Sequence, residues 1–140
     1  MAKGEVVLLG SGLMGSSIAL DLLESSAVSK LTVIDSSSDR LRALEMKTSK
    51  LSGLDPSTGS NMKLGEKLDT LEMDVLRKGD DLLKILPKFD VGVGALPPGI
   101  AEEVVQKALE AGINFVDLIY SWRHDKSSPH TRQVSNALQE

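Results

Sequence analysis

The segment Gly10-Ser11-Gly12-Leu13-Met14-Gly15 has a residue spacing that could do chemistry. This G-x-G-x-x-G follows a strand-like run, Glu5–Leu9, and opens a helix-period segment, the context in which the pattern binds the pyrophosphate of a dinucleotide. Each glycine has its own task. Gly10 permits a tight turn, Gly12 removes a side chain so that backbone can approach an anion, and Gly15 lets the helix pack close to the strand. The amides of the turn, those of Ser11, Leu13 and Met14 among them, and the helix dipole then hold the phosphates. A plain strand–turn–helix connection would use the same glycines, and a second feature argues against it. Asp35 ends the next strand-like run, 20 residues after Gly15. A carboxylate there accepts hydrogen bonds from the adenosine ribose and repels a 2′-phosphate, so NAD is expected ahead of NADP. Ser36, Ser37, Ser38, Arg40 and Arg42 keep NADP open, because hydroxyls and guanidinium groups suit a phosphate. The serines have a competing use, with Ser38 or Asp39 as the cap of the following helix.

Two further segments are expected near the same ligand. Gly94-Ala95-Leu96-Pro97-Pro98 closes a strand, and its small and stiff residues Ala95, Leu96 and Pro97 should border the nicotinamide half. Asp74 and Val75, after Met73, should lie near the adenine, because ligands in this class of fold sit outside the carboxyl ends of the strands. Asp117 ends another strand and faces the same side, either toward ligand or as a turn residue. Trp122-Arg123-His124-Asp125 is the cluster of possible proton-transfer groups, with His124 as acid or base and Arg123 as a partner for a substrate carboxylate. A solvated surface loop accounts for them at least as well. No Ser-His-Asp or paired-carboxylate arrangement stands out, so no catalytic residue is assigned.

These residues need a scaffold of alternating elements, and the apolar pattern supplies it. Strands are expected at Glu5–Leu9, Leu31–Asp35, Leu68–Met73, Asp90–Leu96 and Asn114–Asp117. Helices are expected over 13–23, with a face of Met14, Ile18 and Leu22, and over 41–51 with Leu41, Leu44, Thr48 and Leu51. Further helices are expected over 79–86, over 97–111 with Glu102 and Glu103 in the first turn, and from Ser128 or His130 to Leu138. Ser52–Lys67 carries three glycines and a proline and reads as a long, exposed, flexible loop. Alternating strands and helices predict an α/β, Rossmann-type parallel sheet of about five strands, order 3-2-1-4-5, helices on both faces. The pattern stops after a helix where a sixth strand would follow, which suggests part of something larger and leaves the fifth strand's edge open to pairing between copies.

Composition narrows the classes. The 140 residues suit a single domain. A net charge of −4 is wrong for a nucleic-acid binder. No apolar run approaches the ~20 residues of a membrane span, and the N-terminus lacks a signal-peptide pattern, so an intracellular, cytoplasmic protein is expected. There is no cysteine, hence no disulfide or thiolate site, and two histidines are too few for a histidine-only metal cluster.

Taken together, the glycine turn, LTVID, FDVGVGALPP and ALEAGINFVD resemble the N-terminal domain of saccharopine dehydrogenase-like proteins, a group that includes saccharopine reductases, lysine 6-dehydrogenase and carboxynorspermidine dehydrogenase. The resemblance covers nearly the whole chain outside 52–67. It implies a nicotinamide-dependent oxidoreductase that acts on the carbon–nitrogen bond of an amino-acid-derived amine, as in lysine metabolism. It also implies cofactor contacts at Gly10, Gly12, Gly15, Asp35 and Ala95–Pro97. Family members use a second domain for the substrate site and dimer contacts, and it is absent from this sequence, so the chain is expected to bind cofactor without completing catalysis. The family's VD-S-aromatic continuation is replaced here by Asp117-Leu118-Ile119-Tyr120-Ser121-Trp122. A non-catalytic NAD-sensing regulatory module is the alternative, since it shares the glycine turn and the acidic strand end.

Overall fold

The apolar run that precedes the glycine turn forms β1 (Gly4–Leu9), buried over its last four residues. Continuous burial is what a central parallel strand requires, because helices cover both of its faces. The computed structural model describes residues 4–55 and 57–118 of the chain. After β1 come α1 (Leu13–Glu24), β2 (Val28–Asp35) and α2 (Ser38–Ser49). A short hairpin, β3 (Ser52–Leu54) and β4 (Asn61–Lys63), and a 3₁₀ turn at Leu64–Lys67 lead into β5 (Leu68–Glu72). Then follow α3 (Gly79–Ile85), a second 3₁₀ turn at Leu86–Lys88, β6 (Val91–Gly94), α4 (Pro98–Ala111) and β7 (Asn114–Asp117).

Five strands pair in the order β5-β2-β1-β6-β7, all parallel. With the two hairpin strands left out of the count, this is the expected order 3-2-1-4-5. The order reverses direction at β1, so the ends of β1 and β6 flank a crevice at the switch point. Alternate residues of β1 feed two cores. Val6 and Leu8 pack with Leu23, Leu31, Val33 and Leu44 under α1 and α2. Val7 and Leu9 pack with Ile34, Leu82, Leu86 and Val104 under α3 and α4. Each fully buried leucine contributes about 1.5–3 kcal/mol relative to exposure, so the ends of β1, β2 and β6 sit on a firm base.

Four expectations change. The segment 52–67 is not a continuous loop: Ser52 pairs antiparallel with Lys63 and Leu54 with Asn61. Leu64 and Lys67 are buried. Leu64 enters the core beneath α1 and α2, and the Lys67 ammonium donates to the carbonyls of Leu23 at 2.8 Å and Ser25 at 3.0 Å. Its positive charge sits at the negative end of α1's dipole. The buried stripe of α1 is Gly15, Ala19 and Leu23, one residue beyond the predicted Met14, Ile18 and Leu22. Small residues let this helix approach the sheet, and Met14 is left 65% exposed beside the glycine turn. The cap of α2 is Ser37, whose hydroxyl accepts from the Arg40 amide at 3.3 Å, rather than Ser38 or Asp39. Finally, α4 starts at Pro98 and has no acidic residue in its first turn, so Glu102 and Glu103 fall in its second. Trp122, Arg123, His124, Asp125 and the segment from Ser128 to Leu138, where a helix is expected, lie outside the described residues.

Candidate dinucleotide site

Three backbone bonds fix the floor of the site. The Gly10 amide donates to the Ile34 carbonyl and the Ala95 amide to that of Leu9, both at 2.8 Å, and Met73 donates to Asp35 at 3.0 Å. Pairing thus continues past the strand ends into the turns. Gly10 has φ +99°, and a Cβ there would lie 2.5 Å from the Ala95 oxygen; at Gly15 it would lie 2.2 Å from the Gly10 oxygen. Gly12 is different. A Cβ there would meet nothing within 4 Å and would project into open space. The geometry therefore separates the glycines: Gly10 and Gly15 have backbone where a side chain would begin, and Gly12 has open space.

Gly12 is also the N-cap of α1, with no side-chain cap and no acidic residue in the first turn. Helix N-terminal amides without a side-chain acceptor are a ready anion site. By contrast, α2 is capped by Ser37 and carries Asp39 in its first turn.

Over this turn lies a cleft of about 460 Å³. Most residues expected at the cofactor line it: Gly10, Gly12, Leu13, Met14 and Gly15 from the turn, Asp35, Ser36 and Arg40 from the end of β2 onward, Asp74 and Val75 after β5, and Ala95, Leu96 and Pro97 after β6, whereas Ser11, Ser37, Ser38 and Arg42 do not. Ile34, Met73, Leu76, Ile100 and Leu118 complete the lining. Leu76, in the turn after β5, Ile100, in the first turn of α4, and Leu118, just past β7, are lining residues that the sequence motifs do not single out. Asp117 does not line the cleft; it pairs with Gly94 at the end of β7. A more open hollow of about 550 Å³, lined by Glu45, Lys63, Glu66 and Asp69 among others, holds none of the glycine-turn residues. The chemistry expected from the sequence lies in the smaller cleft.

Asp35 and Ser11 behave differently from the simplest expectation. Both are buried. Oδ2 of Asp35 accepts from the Ser11 amide at 2.8 Å and from the Ser11 hydroxyl at 2.7 Å, and Oδ1 accepts from the Ser37 amide at 2.8 Å. The carboxylate thus clasps the glycine turn to the start of α2. Burial pushes its pKa up, but the bonds from Ser37 and Ser11, with the nearby Arg40 charge, outweigh that and hold it below the ordinary value. It is ionised at neutral pH. Asp74 is partly engaged in a similar way: Oδ1 accepts from the Leu76 and Arg77 amides at 3.1 and 3.3 Å, which shapes the turn after β5.

Among the described residues, no group of three or more His, Asp or Glu side chains could hold a metal ion, and no helix is long and apolar enough to cross a membrane.

The saccharopine dehydrogenase NADP-binding domain family matches the sequence over residues 6–140. No curated protein matches it in sequence. Among solved structures, it is similar to the apo histidine-tagged saccharopine dehydrogenase (L-Glu forming) from Saccharomyces cerevisiae, with 23% identity, a TM-score of 0.64, and 94% of this chain aligned to 24% of that one. It is also similar to Mycobacterium tuberculosis shikimate dehydrogenase, with 23% identity, a TM-score of 0.59, and 97% of this chain aligned to 43% of that one. A third is 3-hydroxybutyryl-CoA dehydrogenase from Escherichia coli K12, with 15% identity, a TM-score of 0.53, and 79% of this chain aligned to 23% of that one. At these identities the likeness establishes the fold. The chain spans less than half the length of each of these structures.

Proposed function

The chain belongs to the saccharopine dehydrogenase NADP-binding domain family, and from that premise we propose that it is the cofactor-binding part of an oxidoreductase acting on the carbon–nitrogen bond of an amino-acid-derived amine. The observation that carries the cofactor role is the cleft over the uncapped start of α1, into which Gly12 presents no side chain. The residues fit a dinucleotide. The first-turn amides of α1 would hold the pyrophosphate, Asp35 and Ser36 would meet the adenosine ribose, Asp74 and Val75 would border the adenine, and Ala95–Pro97 would border the nicotinamide. When bound, the nicotinamide supplies two-electron exchange with the substrate carbon. The chain's own contribution is to bind and orient it.

The amine substrate class rests on family membership. In this reading the substrate site comes largely from a further domain, as the share of the yeast enzyme that this chain spans suggests, and the chain alone binds cofactor without turnover.

NAD is proposed as the better ligand, with NADP admitted. The family's description names NADP. At the end of β2, however, the Asp35 charge and Asp39 at the capped start of α2 both oppose a phosphate, and Arg40 at the cleft edge offsets part of that repulsion. The test is equilibrium titration of the chain with oxidised and reduced NAD and NADP, alongside an assay for amine-dependent reduction of either cofactor. Saturable binding of both, NAD ahead and without turnover, is expected. Binding of neither overturns the cofactor reading, and NADP clearly ahead overturns the preference.

A further inference from the structure

A carboxylate has about four lone-pair sites for hydrogen-bond donors. In Asp35 three are taken: the Ser11 amide and hydroxyl fill Oδ2, and the Ser37 amide takes one site on Oδ1. The two bonds to Oδ2 are buried, whereas the Ser37 bond to Oδ1 is only partly so. Hence Oδ1 is the oxygen with an acceptor site left for ligand. A ribose diol presents two donors, and a carboxylate gripping both needs two open sites.

We propose that Asp35 grips one ribose hydroxyl rather than two, and that the Ser11 hydroxyl sets this limit by holding Oδ2 inside the protein. The inference rests on the dinucleotide reading and adds a specificity-determining residue to it. A ribose phosphorylated at the 2′ position still has one free hydroxyl, the 3′. A single-hydroxyl grip therefore costs NADP no hydrogen bond relative to NAD. Discrimination against NADP then comes from charge alone, which Arg40 partly offsets, and the wild-type chain accepts both cofactors. Removing the Ser11 hydroxyl opens a second acceptor site on Oδ2 and leaves the carboxylate held by the Ser11 and Ser37 amides alone, so that it can tilt toward the diol. NAD can fill the second site and NADP cannot.

The experiment is calorimetric titration of the wild-type chain and Ser11→Ala with NAD and NADP. One added hydrogen bond to a charged acceptor predicts that the variant raises the preference for NAD by roughly tenfold. An unchanged ratio, with both cofactors still bound, overturns the inference and leaves the dinucleotide reading standing. Failure of the wild-type chain to bind either overturns both. Should the variant unfold, the wild-type chain answers the same question with 2′-deoxy-NAD and 3′-deoxy-NAD. A single grip that NADP shares, on the 3′ hydroxyl, predicts that 3′-deoxy-NAD binds roughly tenfold more weakly and 2′-deoxy-NAD nearly as well as NAD, and the reverse order overturns it. Equal losses from the two overturn it.

Discussion

A side chain on Gly15 would place its Cβ 2.2 Å from the carbonyl oxygen of Gly10, inside the turn that both residues build. Gly12, between them, faces open space. The two kinds of glycine should separate in mutagenesis. Gly15→Ala forces backbone to move and should cost on the order of 3 kcal/mol, lowering the melting temperature by roughly 10 °C. Gly12→Val fits the observed extended backbone, φ −67° and ψ −162°, and should cost at most about 1 kcal/mol as a poorer cap while abolishing dinucleotide binding. Thermal melts and titrations on both variants check this, and a stable Gly15→Ala chain would contradict it.

Asp35 is a brace as well as a ligand candidate. Asp35→Ala leaves the Ser11 amide, the Ser11 hydroxyl and the Ser37 amide without their acceptor, a loss on the order of 3 kcal/mol. Because the glycine turn loosens, both cofactors should bind more weakly, NAD by the larger factor. Chemical denaturation and paired titrations measure the two effects. Retained stability would mean that the clasp does not hold the turn.

The same carboxylate fixes the sign of a pH effect. Its folded pKa is held below the ordinary value, so the unfolded chain binds more protons on acidification. The stabilisation is fully present above the unfolded pKa of about 4 and is lost as pH falls through the folded value. The stability gap between wild type and Asp35→Asn should be widest near neutral pH and shrink below about pH 4. A gap that stays constant with pH would exclude Asp35 as the titrating group.

Much of this could be read in the sequence, for identifiable reasons. Buried parallel strands write their burial as unbroken apolar runs, which is why the strand at Glu5–Leu9 stands out. The glycine turn is legible because each glycine answers a separate steric demand. The hairpin at 52–63 was not legible, because three-residue strands amid Gly, Ser and Asn look like any loop, and Asp55 holds its tip together through the Ser57 and Thr58 amides. Nor was the inward turn of Asp35. Its carboxylate direction depends on Ser11 across 24 residues of chain, a tertiary fact that the strand pattern does not encode. Met14 was placed on the wrong face because the sequence offers two overlapping stripes, and the close approach of Gly15 and Ala19 decides between them.

Lys67 illustrates the same limit in a charged residue. Its ammonium is buried against the last carbonyls of α1, far from the phosphate end of that helix. Lys67→Met keeps the length and removes the donors, and should cost about 1–3 kcal/mol with no change in dinucleotide affinity. Denaturation curves and a titration check both halves. A changed affinity would mean that the two ends of α1 are coupled.

The central claim, that the start of α1 holds a dinucleotide pyrophosphate, is tested most directly by titrating NAD into the wild-type chain and into Gly12→Val under identical conditions. Saturable binding to the wild type, and its loss in a variant that melts at nearly the same temperature, is the predicted result. Equal binding by the two proteins would contradict the pyrophosphate assignment.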